Sequence, residues 1–200
     1  MPAVAVSTQQ PAHQAPPAAI PGLRDRLKQA TAEAHRDLDA RLGALDLVKR
    51  DGYRRFLEIN AAALLPLEAA LEEAGVAAIF TDWPWRSRRA AIAADLARVR
   101  GSLRTLEAQP KLNRNAVFGT LYVLEGSRLG AKYLLRTVAH SADPVITQAT
   151  AYLDHGAGQH LWPSFLHALE HQPFMPGDEP EIIAGAHLAF SVFARSAGRA

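Results

Sequence analysis

Apolar residues in this chain return every three or four positions from Leu23 almost to the end, and that period admits helices and little else. Leu23, Leu27, Ala30, Ala34, Leu38, Leu42 and Leu45 trace the first such stripe. No stretch of useful length alternates apolar and polar residues, as a half-buried strand would. With 200 residues the chain can bury one core without covalent staples. The spacing therefore predicts an all-α fold, a single-domain multi-helix bundle of about seven or eight helices.

Punctuation along the chain sets the expected boundaries. Asp51-Gly52-Tyr53 opens a second helix reaching to about Ala74, with Asp51 suited to its N-cap and Pro66 predicting a kink inside it. Thr81 to Trp85 reads as a loop, followed by a helix from about Ser87 to Ala108. Gln109-Pro110 breaks the chain, and the next helix spans about Asn113 to Ala139. Asp143 caps a short segment that Pro144 opens, and another helix covers about Leu161 to His171. Acidic residues in Asp178-Glu179-Pro180-Glu181 mark the start of the last helix, where the macrodipole favours them. Met1 to Pro21 is rich in Ala, Pro and Gln and carries no charged residue, so it reads as a disordered tail. The folded domain is expected to run from residue 22 to 200.

Composition excludes several kinds of chemistry. There is no cysteine, which removes disulfides, thiolate metal sites and cysteine nucleophiles and suits a reducing compartment. Twenty-two Lys and Arg against twenty Asp and Glu leave a formal charge of +2, too balanced to point to nucleic acid. No segment approaches the roughly 18 continuous apolar residues of a membrane span. The N-terminus lacks the basic and apolar regions of a secretory signal, so a cytoplasmic protein is expected.

Two segments carry the chemistry. Lys28, Thr31, His35 and Asp39 stand at i, i+3, i+7 and i+11, which puts them on one face of the first helix beside the apolar stripe. His35 is thus either a packed edge residue or a metal-ligating imidazole, with Asp39 able to hold its other ring nitrogen. Further on, Gly119, Gly126 and Gly130 fall within about 40° of one another around a helix. Interior glycines cost about 0.5–1 kcal/mol each relative to alanine. The stripe reads either as close helix–helix packing or as a bare wall for a planar ligand, with Ser127 beside it.

Together the two segments resemble the heme oxygenase family. Leu27-Lys28-x-Ala30-Thr31-x-Glu33-x-His35 is similar to its proximal-helix motif, and Leu121-Tyr122-Val123-Leu124-Glu125-Gly126-Ser127-Arg128-Leu129-Gly130 to the distal-helix motif of its bacterial, biliverdin-producing branch, which often serves bacteriophytochromes. The resemblance implies a heme-oxygenase-like domain in which heme is both substrate and cofactor and His35 is the axial ligand of its iron. Gly126, Ser127 and Gly130 would then form the wall against which dioxygen binds. Lys28 would contact a heme propionate, with Lys132 and Arg136 as further candidates, and Thr31 and Tyr122 would complete the heme contacts. The implied products are biliverdin, carbon monoxide and ferrous iron. Implied partners are an electron-donor protein, such as a ferredoxin or reductase, and a bacteriophytochrome as biliverdin acceptor. Ser127 stands where the mammalian-type pattern has an aspartate, which implies a different water network beside the oxygen. A non-catalytic heme carrier or sensor of the same fold is the alternative reading.

Overall fold

Eleven helical segments follow one another in the computed structural model, which describes residues 22–104 and 106–198. No strand occurs among the described residues. The expectation of a disordered tail over Met1 to Pro21 lies outside them.

The first amphipathic stripe folds as α1 (Leu23–Ala30) and α2 (Ala32–Gly43), two rods that meet at Thr31. The Thr31 hydroxyl donates to the Leu27 carbonyl at 2.8 Å, a return bond that bends helices. Leu27 is fully buried in α1, whereas α2 buries no residue completely and leans on the core through Leu38 and Leu42.

The long helix α3 (Arg50–Glu73) runs through Pro66 without interruption and buries Phe56, Leu57, Leu64 and Leu67. Lys49, not Asp51, takes its N-cap position. Asp51 lies in the first turn and pairs with Arg54 at 2.9 Å, so its charge still faces the positive end of the helix. Two single turns follow, α4 (Val76–Ile79) and α5 (Trp83–Arg86), the second inside the expected loop.

The helix α6 (Arg89–Arg98) stops ten residues short of the expected end. Its C-terminus is a Schellman motif: Arg100 adopts φ 55°, its N–H reaches Ala97, and the Gly101 N–H reaches Leu96 at 2.8 Å. An arginine occupies the left-handed position that glycine usually takes, which hides the stop from a composition-based reading.

The glycine-bearing helix also divides, into α7 (Arg114–Gly126) and α8 (Arg128–Ala139). Asn113 caps α7 by accepting the Ala116 N–H at 2.8 Å. Asp143 likewise caps α9 (Pro144–Gln148), accepting from Val145 at 2.9 Å. Then come α10 (Leu161–His171) and α11 (Glu179–Gly198), both beginning where the sequence indicates.

The most extensive helix pair is α7 against α11. Glycines permit it: a Cβ on Gly119 would overlap the Ile182 carbonyl oxygen, and one on Gly185 would overlap the Ala116 carbonyl oxygen. This crossing forms the floor on which the ends of α7 and α11 support the site.

Candidate functional site

A cleft of about 680 Å³ opens between the bent α1–α2 rod on one side and the bent α7–α8 rod on the other. That volume falls within the range of small-molecule and cofactor sites. Lys28, Thr31, His35, Tyr122, Gly126, Ser127 and Gly130 all line it. Lys132 and Arg136 do not; both are exposed on the outer side of α8. Arg24 and Arg36 join Lys28, so three cationic side chains stand along the α1–α2 side.

His35 projects from the exposed helix α2 and is held by two contacts. Its Nδ1 stands 2.9 Å from Asp39 Oδ2, one turn along the same helix. The Phe190 ring of α11 meets the imidazole edge-on, with centroids 5.9 Å apart. A proton on Nδ1 facing Asp39 would leave the Nε2 lone pair free, the tautomer a metal needs.

The opposite wall is made by the break between α7 and α8. The Ser127 hydroxyl donates to the Leu124 carbonyl at 2.7 Å and accepts from Arg88 Nη1 at 3.0 Å, so its only proton is already committed. Arg88 Nη2 donates to the same Leu124 carbonyl at 3.0 Å. Side chains that compete for a helix carbonyl are a known cause of bends. The bend therefore belongs to Ser127 and Arg88 together.

The glycine stripe divides between Gly119, deep in α7, and the pair Gly126 and Gly130 that flanks this bend. Gly119 is used up in the α7–α11 crossing. A Cβ on Gly130 would meet nothing within 4 Å, and one on Gly126 would reach only the Trp162 ring at 3.6 Å. These two glycines present bare backbone to the cleft. The packing reading thus holds at Gly119, while Gly126 and Gly130 stand open to the cleft.

Glu125 and Arg128, inside the distal motif, do not face the cleft. Glu125 is 1% exposed and accepts from Arg86 Nη1 and from Arg128 Nε and Nη2, each at 3.0 Å. Arg86 continues to Asp82, the Leu161 carbonyl and Ser164, tying α5, α7 and α10 together. Burial, and then the neighbouring Arg88 charge, lowers the Arg128 guanidinium below its ordinary value. Arg128 also reaches His155 Nδ1 at 3.2 Å. Burial first, then the Arg128 charge, pushes the His155 imidazole down.

Sequence reasoning missed Arg88, Asn60, Tyr152 and Trp162 among the cleft residues. Tyr152 donates to Asn60 Oδ1 at 3.1 Å, and its ring lies 5.2 Å beneath the Arg88 guanidinium. Asp95 holds this corner by accepting the N–H groups of Ala151 and Tyr152. Arg88 sits in an arginine-rich run, Arg86-Ser87-Arg88-Arg89, with no local mark separating it from its neighbours. Only the fold brings it to Ser127, thirty-nine positions away. Among the described residues, no group of three or more His, Asp or Glu side chains is placed to hold a metal ion by itself. None of their helices is long and apolar enough to cross a membrane.

Comparison with known proteins places these observations. Residues 22–197 match the family model described as heme oxygenase. The fold is similar to that of the NO- and CO-bound heme oxygenase from Neisseria meningitidis, with a TM-score of 0.72 at 21% identity over 88% of this chain and 92% of that one. It is similar also to the heme oxygenase from Leptospira interrogans, with a TM-score of 0.68 at 16% identity over 90% of this chain and all of that one. No curated protein sequence matches.

Proposed function

The chain belongs to the heme oxygenase family, and from that premise we propose that it opens the heme ring with dioxygen to give biliverdin, carbon monoxide and ferrous iron. The observation that carries the reading is the facing pair: His35 on one wall of a single cleft, and the bare backbone of Gly126 and Gly130 on the other. The cleft's chemistry fits a flat, anionic, iron-containing substrate. It has an imidazole with a free Nε2, a side-chain-free strip opposite, aromatic walls and a cationic edge.

In this reading His35 Nε2 is the axial ligand, and Asp39 keeps the ring oriented and its donor nitrogen electron-rich. Phe190 limits rotation of the imidazole. Arg24, Lys28 and Arg36 hold the carboxylates at the substrate's edge, while Thr31 and Tyr122 pack along it. Lys132 and Arg136 carry no part of the proposal. The bound substrate supplies the iron at which dioxygen is activated. Gly126 and Gly130 let a ligand approach the backbone without meeting a side chain.

Ser127 cannot donate its proton while it bonds to Leu124, so donors on this wall must come from the remaining N–H groups of Arg88 or from water. Ring opening consumes electrons, so an electron-donor protein, a ferredoxin or reductase, belongs to the reaction. The distal motif's likeness to the biliverdin-producing branch supports a bacteriophytochrome as acceptor of the product.

Mixing the purified chain with hemin and adding a reductant under air tests the proposal. The expected result is loss of the heme absorption band and growth of a biliverdin band. A heme complex that persists through repeated reduction would instead identify a carrier or sensor.

A further inference from the structure

The helix α3 has two working faces. Phe56 and Asn60 look into the cleft, whereas Arg55, Glu58 and Ala62, about half a turn away, line a second cavity of about 200 Å³. Ser102, Arg104 and Leu106 of the segment after α6 close it, with Ser196 of α11. The two cavities share no lining residue.

Arg55 is the anomaly. Its Nε and Nη2 are buried and neither has a hydrogen-bond partner. Its one ion-pair neighbour, Glu58 Oε2, stands 3.9 Å from Nη1, beyond hydrogen-bonding range. The other Glu58 oxygen is already occupied by the Ser102 N–H at 2.9 Å and the Ser102 hydroxyl at 3.3 Å. Ser196 spends its proton on the Ile59 carbonyl at 2.7 Å. Covered donors of a charged group without acceptors are costly, and the cavity contains an excess of donors.

Charge points the same way. Two guanidinium groups, Arg55 and Arg104, oppose one carboxylate, leaving the cavity with a net positive charge. The closing segment is fixed at both ends: Arg100 holds the left-handed turn at one, and Gln109 accepts from Arg195 Nη2 of α11 at 3.2 Å at the other. The space equals about six or seven water volumes, enough for one small anionic group and little more.

We propose that this cavity is a second ligand site, which takes one oxyanion group of a small molecule, phosphate or carboxylate, between Arg55 and Arg104. The planar fork of arginine suits either oxyanion. Entry requires the side chains of the closing segment to yield, since the unmet Arg55 donors are covered as they stand. The proposal is independent of what fills the larger cleft.

Calorimetric titration of the full chain with inorganic phosphate and, in a separate arm, with acetate tests it, each against chloride at matched ionic strength. One-to-one saturable binding of at least one oxyanion is expected, and the stronger arm identifies the group. Arg104→Gln should weaken it by about tenfold or more, as the loss of a charge-assisted bond does. Arg55→Gln should do the same, and neither variant should alter the absorption spectrum of the heme complex. Arg104 is exposed, so Arg104→Gln decides the matter even if Arg55→Gln does not fold. Binding by neither oxyanion, binding unchanged in Arg104→Gln, or displacement of the oxyanion by heme would overturn the proposal.

Discussion

Gly119 and Gly130 belong to one stripe in the sequence, yet the two ends of that stripe do opposite work. At Gly119 the missing side chain lets α11 press its backbone against α7, and the space is filled. At Gly130 the missing side chain leaves a wall open to the cleft, and the space is kept. The burial of the two helices shows the same contrast. Eight residues of α7 are buried, from Val117 to Glu125, against Val138 alone in α8. A glycine in a helix therefore has no meaning by itself; what stands opposite it, α11 at Gly119 and the open cleft at Gly126 and Gly130, sets its role.

Gly119→Ala should have the largest effect, because its methyl group meets backbone that cannot rotate away. A loss of about 2–4 kcal/mol of stability is expected, read from urea denaturation of the apo chain. A loss well under 1 kcal/mol would show that the crossing is looser than described.

Arg88→Met addresses the bend between the two ends. It removes both bonds that Arg88 makes to the wall while keeping much of its bulk. The buried Leu124 carbonyl keeps the Ser127 bond, so about 1–3 kcal/mol of stability should go. The heme complex should keep its His35 ligand but show altered ligand binding on the Ser127 side. An unchanged carbon monoxide stretch in the ferrous complex would mean that the bend holds without Arg88.

Gly130→Ala should have a smaller effect, of opposite sign on stability. The methyl meets open space, so the fold should gain about 0.5–1 kcal/mol from helix propensity, while turnover of heme falls because the bare strip is now covered. A variant that is both more stable and fully active would refute the role given to this glycine.

The smallest expected effect lies in the buttress behind the bend. His155 is held below its ordinary value of 6.5 by burial and by Arg128. The unfolded chain therefore takes up a proton that the folded chain refuses, and this contribution to stability is present above about pH 6.5 and declines as the pH falls. His155→Gln should flatten that slope in urea midpoints measured from pH 7.5 to 5.5. An identical slope in both proteins would remove His155 from the account.

Much of the fold was legible because helices repeat their apolar residues locally. The cap at Asp143, the span Leu161–His171 and the acidic start of α11 follow from neighbours in the sequence. The failures share a physical cause. The Thr31 and Ser127 breaks arise from hydroxyls that turn back onto a carbonyl, a choice that composition does not reveal. The stop of α6 uses an arginine in a left-handed turn. In the site, the residues on α1, α2 and α7 were legible because each segment presents them on one face. Arg88 and Tyr152 reach the cleft only through tertiary packing. Lys132 and Arg136 differ again, standing exposed on α8 outside the cleft lining.

The central claim is that His35 faces the Gly126–Gly130 backbone across a bound heme and is its axial ligand. Titrating heme into the wild type and into His35→Ala, then recording absorption spectra before and after reduction in air, tests it most directly. His35 is 63% exposed at its side chain, so its removal should leave the fold intact. The account expects the variant to lose the histidine-ligated spectrum and nearly all biliverdin formation, with added imidazole restoring the spectrum. A variant that keeps the wild-type spectrum and turns heme over unchanged would contradict it.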